Sequence, residues 1–155
     1  MARVLVVEDS GTQARHAESL LRRDGHDVTV ARNGAEGLAA VRADPPDVVL
    51  TDMHMPELDG LELVRVLRAE YPALPVVLTT DRGSEELAVQ ALRAGASGYI
   101  PKRNLAQDLG PVLDELLTVA GMQRKQALFL DRMTSIEHRF ALDTDPDLIP
   151  QVVGH

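Results

Sequence analysis

Three acidic residues and one lysine stand where short apolar runs give out. Val4 to Val7 leads into Glu8-Asp9, Val48-Val49-Leu50 leads through Thr51 to Asp52, and Gly98-Tyr99-Ile100-Pro101 leads into Lys102. Runs this short, partly β-branched and bounded by Pro46-Asp47 or by Met55-Pro56 and Asp59-Gly60, read as buried strands closed by turns. A lone aspartate at a strand end is ordinarily a turn or helix-cap residue. Asp52 has company: if the first and third strands are parallel neighbours, Glu8, Asp9 and Asp52 converge at one sheet edge. Two unit charges about 4 Å apart repel by about 4 kcal/mol at a protein-like dielectric, so such a cluster needs a cation or a raised pKa. Ligation by oxygen alone suits Mg2+ (or Mn2+), which takes few carboxylates together with water and a phosphate oxygen. The chemistry these residues support is metal-assisted phosphoryl transfer.

The elements that must hold them can be read in order. Arg3 to Val7 is a first strand, and Ser10-Gly11 opens a helix to about Asp24, with Ala14, Ala17, Leu20 and Leu21 on its apolar face and Gly25 as its stop. Asp27 to Ala31 alternates as a second strand, Val28 and Val30 on one side. Gly34 to about Ala43 forms a helix on Leu38 and Val41, ended by Asp44-Pro45-Pro46. After the third strand, Gly60 to Glu70 buries Leu61, Val64 and Leu67 at helical spacing. Val76 to Thr80 is a fourth strand, Ser84-Glu85-Glu86 starts a fourth helix with Leu87, Ala91 and Leu92 inward, and Gly98 to Pro101 is the fifth strand. A last helix covers Leu105 to Ala120, with Leu109, Val112, Leu113, Leu116 and Leu117 as a broad stripe. Strands separated throughout by helices predict a doubly wound α/β fold with a five-stranded parallel sheet covered on both faces.

Composition narrows the function classes. With 45% hydrophobic residues in 155, one domain with a full core and a short extension is expected. A net charge of −8 disfavours direct nucleic-acid binding, which is dominated by neutralising phosphates. The absence of cysteine removes disulfides and thiolate metal sites and fits a cytoplasmic protein. No stretch approaches the roughly 20 apolar residues of a membrane span.

From Arg3 to about Ala120 the chain resembles the receiver domain of bacterial two-component response regulators, whose fold is the flavodoxin-like (βα)5 arrangement. The resemblance rests on Glu8-Asp9, on Asp52, on the M-P-x-x-D-G turn from Met55 to Gly60, on Thr80, on Tyr99 and on Lys102, in that order and each at or just after a strand end. It implies that Asp52 is a phosphoacceptor, that Asp9, Asp52, Glu8 and the backbone carbonyl of His54 hold Mg2+, and that Lys102 offsets charge on the phosphoryl oxygens. It implies further that Thr80 and Tyr99 act as the switch pair, with Thr79 left to packing. The partners it implies are a sensor histidine kinase or phosphotransfer protein, an output domain or partner protein, and a second copy through the fourth helix, fifth strand and fifth helix. The activity would be self-catalysed phosphotransfer with weak autophosphatase action.

Two positions depart from the family pattern. The residue after the switch threonine is usually small and here is Asp81, a carboxylate expected to repel donors. The residue after the lysine is usually a cis proline and here is Arg103, with Pro101 before the lysine instead; a cis bond without proline costs roughly 2.5–4 kcal/mol, so a trans Lys102-Arg103 peptide or an altered loop is predicted. These departures leave a degenerate receiver, acting as a phosphorylation-independent interaction module, as the alternative. An aspartate-nucleophile phosphatase would want a second acid two residues after Asp52, and His54 occupies that place. A flavin-binding protein would want a Ser/Thr-rich loop after the first strand, which is missing.

Residues 121–155 lie outside the receiver pattern and read as a C-terminal helical extension or linker. Met122 to Met133 extends the last helix or forms its own, Arg139 to Leu142 reads as a strand, and an Asp145-Pro146-Asp147 turn precedes the apolar Leu148 to Val153. This ending resembles the lead-in to a histidine-kinase-like ATP-binding domain of the anti-sigma-factor kinase type, so the truncated start of an output domain is one expectation and a dimerisation arm or a disordered end the other.

Overall fold

A computed structural model describes residues 1–143. Five strands, β1 (Arg3–Val7), β2 (Asp27–Ala31), β3 (Val48–Asp52), β4 (Val76–Thr80) and β5 (Gly98–Pro101), alternate with helices α1 (Gly11–Arg23), α2 (Gly34–Ala43), α3 (Gly60–Glu70), α4 (Glu85–Ala94) and α5 (Leu105–Asp143). All strand pairs are parallel, in the order β2-β1-β3-β4-β5. This is the doubly wound, flavodoxin-like sheet expected. It makes β1 and β3 neighbours, the condition on which the convergence of Glu8, Asp9 and Asp52 depended. The central strands β3 and β4 are buried at every residue, which their Val/Leu/Thr composition suits.

The core has two halves, one on each side of the sheet. Leu5, Val7, Val49 and Leu78 pack with Val41 of α2, Leu63, Val64 and Leu67 of α3, and Ala91 of α4. Val4, Val6, Leu50, Val77 and Ile100 pack with Ala17 and Leu21 of α1 and Leu105, Leu109 and Leu113 of α5. Leu92 is a correction: it is 61% exposed, because Leu87, Ala91 and Ala94 at i, i+4 and i+7 already form the inner stripe of α4 and Leu92 lies about 100° from Ala91. Val30 is also exposed, since β2 is an edge strand.

The helix starts are fixed locally. Ser10, Asn33, Asp59 and Ser84 each accept a hydrogen bond from the backbone N–H three residues on, and Gly25 takes the left-handed conformation (φ 86°) that ends α1. At α3 the cap is reciprocal: Asp59 accepts from Glu62 N at 2.9 Å and Glu62 accepts from Asp59 N at 3.5 Å. Asp59→Ala is expected to lower stability by about 1 kcal/mol in a urea titration, with the slope unchanged.

The chain divides into a compact unit of Met1–Ala120 and a second beginning at Gly121. Helix α5 runs past that point to Asp143, so Met122 to Met133 extends it. Arg139 to Leu142 is helical and not the expected strand: four residues of alternation are too short a signal against a helix already propagating into Ala141 and Leu142. The expected turn at Asp145-Pro146-Asp147 and the apolar Leu148 to Val153 lie outside the described residues.

Candidate functional site

Register brings the reactive residues to one end of the sheet. Glu8 follows β1 and is tied to the neighbouring strand by its N–H, which donates to Ala31 O at 2.9 Å. Asp52 ends β3, paired with Thr79 of β4. The chain then turns tightly: Met53 N donates to Thr79 O at 2.8 Å, Gly60 N donates to Met53 O at 3.0 Å, and Glu57 takes a left-handed φ of 67°. Helix α3 therefore starts directly against the end of β3. Thr79 pairs with Ile100, which places Lys102 two residues further along on the face that carries Leu50 and Asp52.

Glu8, Asp9 and Asp52 each offer a carboxylate oxygen within 4.8 Å of the others. Glu8 and Asp52 are 5% and 6% exposed, whereas Asp9 is open to solvent. Lys102 Nζ donates to Glu8 Oε1 at 2.5 Å and to Gln13 Oε1, and lies 3.3 Å from Asp52 Oδ1. Three oxygen donors close together, two of them buried with one ammonium between them, fit a hard divalent cation. They would hold Mg2+ better than a softer metal, for which the cluster offers neither imidazole nor thiolate. The imidazole of His54 is exposed and not part of it.

Burial pushes the Glu8 carboxyl up to about 7; the Lys102 hydrogen bond opposes this and the Asp52 charge adds to it. Burial pulls the Lys102 ammonium down, but the hydrogen bond to Glu8 and the charges of Asp52, Glu8 and Asp81 outweigh it and hold it above its ordinary value. A carboxyl whose folded pKa is raised contributes stability that is complete below its ordinary 4.5 and is lost as pH rises through about 7. The metal-free protein is therefore expected to melt at lower temperature at pH 8 than at pH 5. Glu8→Gln should flatten that fall, measured by thermal melts in EDTA.

Thr80 and Tyr99 sit apart from this cluster. Thr80 is fully buried and its Oγ1 accepts from Arg82 N at 3.3 Å. Leu78 pairs with Tyr99, so Thr80, Leu78 and Tyr99 share the face toward α4. The Tyr99 hydroxyl accepts from Ser84 N at 3.2 Å, at the start of that helix. Thr79 points the other way, donating to Thr51 O at 3.4 Å. The Lys102-Arg103 peptide is trans, as predicted, and opens a 3-10 turn over Lys102–Asn104.

Sequence reasoning missed Gln13. Its amide accepts from Lys102 and donates to Asp81 Oδ1 at 3.3 Å, joining α1 to the ends of β5 and β4. Glutamine in the first turn of a helix carries no sequence signal for this. Below the charged groups lies a cavity of about 240 Å3, lined on its apolar side by Val6, Ala17, Leu50 and Leu105.

Residues 4–113 match the family described as the response regulator receiver domain. Protein PilH of Pseudomonas aeruginosa is 41% identical over 104 residues, 66% of this chain and 86% of that protein. A chemotaxis protein CheY homolog of Campylobacter jejuni is 38% identical over 119 residues, 74% and 92% of the two chains. Among solved structures, a response regulator receiver domain protein of Clostridium thermocellum superposes with a TM-score of 0.72 at 32% identity, over 83% of this chain and 99% of that one. NtrX of Brucella abortus superposes with a TM-score of 0.76 at 31% identity, but the match spans only 29% of that longer protein.

Proposed function

The chain belongs to the response regulator receiver domain family, and we propose on that basis that it is a phosphoryl-accepting switch whose acceptor is Asp52. The observation that carries the reading is the meeting of Glu8, Asp9 and Asp52 within 4.8 Å, with Lys102 3.3 Å from Asp52. An Asp52 carboxylate oxygen attacks the phosphorus of a phosphohistidine in line; the P–O bond forms as the P–N bond breaks, and the imidazole leaves with its electron pair. Lys102 carries charge to the equatorial oxygens, so that positioning and electrostatics supply most of the catalysis. Mg2+, when bound by Glu8, Asp9, Asp52 and the His54 carbonyl, supplies further neutralisation of those oxygens. Hydrolysis of the aspartyl phosphate returns the chain to its resting state.

Thr80 and Tyr99 read the event. A phosphoryl oxygen can accept a charge-assisted hydrogen bond from the Thr80 O–H, whose oxygen already accepts from Arg82 N, and movement of that loop changes the room for Tyr99. The Tyr99 hydroxyl already touches the start of α4, so the shift reaches the surface of α4, β5 and α5. Val89 and Leu92 are exposed there on α4 and suit a protein partner or a second copy. The donor is a sensor histidine kinase or phosphotransfer protein, residues 1–120 are the receiver, and residues 121–155 are its C-terminal extension or linker. Among the described residues no helix is long and apolar enough to cross a membrane, and a cytoplasmic setting belongs to this reading.

Intact mass after incubation with acetyl phosphate tests it. One phosphoryl adduct with Mg2+ and none with EDTA is the expected result. No adduct at any time, together with failure to bind beryllofluoride, would make the chain an interaction module instead.

A further inference from the structure

Asp81 stands at a position where the receiver pattern has a small residue, and its carboxylate lines the same cavity as Asp52 and Lys102. A carboxylate there competes for the lysine that phosphoryl transfer needs. Between the two charges lies the side chain of Gln13, which presents its oxygen to the Lys102 ammonium and its NH2 to Asp81 Oδ1 at 3.3 Å. An amide can satisfy an ammonium and a carboxylate at once only in this orientation, because Lys102 has no acceptor and an ionised aspartate no donor. Lys102 Nζ donates to Glu8 Oε1 at 2.5 Å and to Gln13 Oε1 and forms an ion pair with Asp52 Oδ1 at 3.3 Å, so Gln13 is its third partner and ties the ammonium to α1.

We propose that Gln13 is a positioning residue for phosphoryl transfer, its amide hydrogen-bonding both Lys102 and Asp81 and thereby keeping the lysine from being captured by that carboxylate. The proposal rests on the phosphoacceptor reading of Asp52. With the Gln13 side chain removed, Lys102 loses one acceptor and Asp81 its donor, and the two opposite charges are free to close on each other. The ammonium then leaves Asp52, where the charge of the transferring phosphoryl group develops. Substitution of Gln13 should therefore do harm only while Asp81 is present.

A double-mutant cycle of the full chain reads this coupling. Phosphorylation by acetyl phosphate at saturating Mg2+ is followed by intact mass for the unsubstituted chain, Gln13→Ala, Asp81→Ala and the double variant. Expected are a rate about five- to tenfold lower for Gln13→Ala, a rate for Asp81→Ala at or above that of the unsubstituted chain, and a double variant within about twofold of Asp81→Ala. An equal loss from Gln13→Ala in both backgrounds, or no loss in either, overturns the proposal. The bridge is also judged without phosphorylation, by NMR of the Gln13 side-chain NH2 in the metal-free protein. Resonances slow to exchange and shifted by Asp81→Ala support it; resonances typical of a solvated amide and indifferent to Asp81 overturn it. If the unsubstituted chain takes up no phosphoryl group, the phosphoacceptor reading fails, while the NH2 resonances still decide whether the bridge exists.

Discussion

Asp52→Asn is expected to abolish the phosphoryl adduct while leaving the protein at least as thermally stable as before, whereas Lys102→Met lowers stability by about 3 kcal/mol. Asparagine has the shape of aspartate and keeps an oxygen for the lysine, which lies 3.3 Å away, but its amide does not attack phosphorus. It also removes one negative charge from a cluster in which Asp52 raises the pKa of Glu8 by repulsion, so the resting fold loses a conflict along with its nucleophile. Lys102→Met does the opposite. The Glu8 and Asp52 side chains are 6% and 7% exposed, and each would be left buried without its cation. In a chain of this length the loss corresponds to a melting point lower by about 6–12 °C, at roughly 2–4 °C per kcal/mol. Intact mass and thermal melts on the two variants check both halves. An adduct on Asp52→Asn would move the acceptor elsewhere, and a stable Lys102→Met would deny the lysine its place in the resting cluster.

The second large effect belongs to a residue with no functional group. Gly60 begins α3, and a Cβ built on it would lie 2.3 Å from Asp52 O, 2.7 Å from Met53 Cα and 2.8 Å from Leu78 Cδ2. Two of these neighbours are backbone, so a methyl group fits only if β3 and α3 part or the turn between them reshapes. Gly60→Ala is expected to lower stability by about 3 kcal/mol and to slow phosphorylation as well, since the strand end that moves is the one carrying Asp52. Gly121 is the natural control. It lies inside α5 with nothing within 4 Å of its built Cβ, and Gly121→Ala should stabilise by up to about 1 kcal/mol. Urea titrations compare the two, and equal effects would mean that the contact at Gly60 does not constrain the site.

The element order, the parallel sheet and the acidic cluster were legible in the sequence because their signals are local. Five apolar runs set the strands, Ser10-Gly11 and Ser84-Glu85-Glu86 mark two of the helix starts, and a strand end followed by Glu8-Asp9, Asp52 or Lys102 sets which residues can meet once the sheet is parallel. Tertiary structure decided what depends on neighbours distant in the chain. The Lys102 hydrogen bond to Gln13 joins residues 89 apart and that from Gln13 to Asp81 joins residues 68 apart, so no window of sequence contains either. Leu92 is as apolar as Leu87, and the packing of Leu87, Ala91 and Ala94 left it outside. The alternation at Arg139 to Leu142 yielded to the helix preceding it. Periodicity and capping act over one or two turns of chain; which polar atom meets which across a sheet edge is fixed by packing and register, and these exist only in the folded molecule.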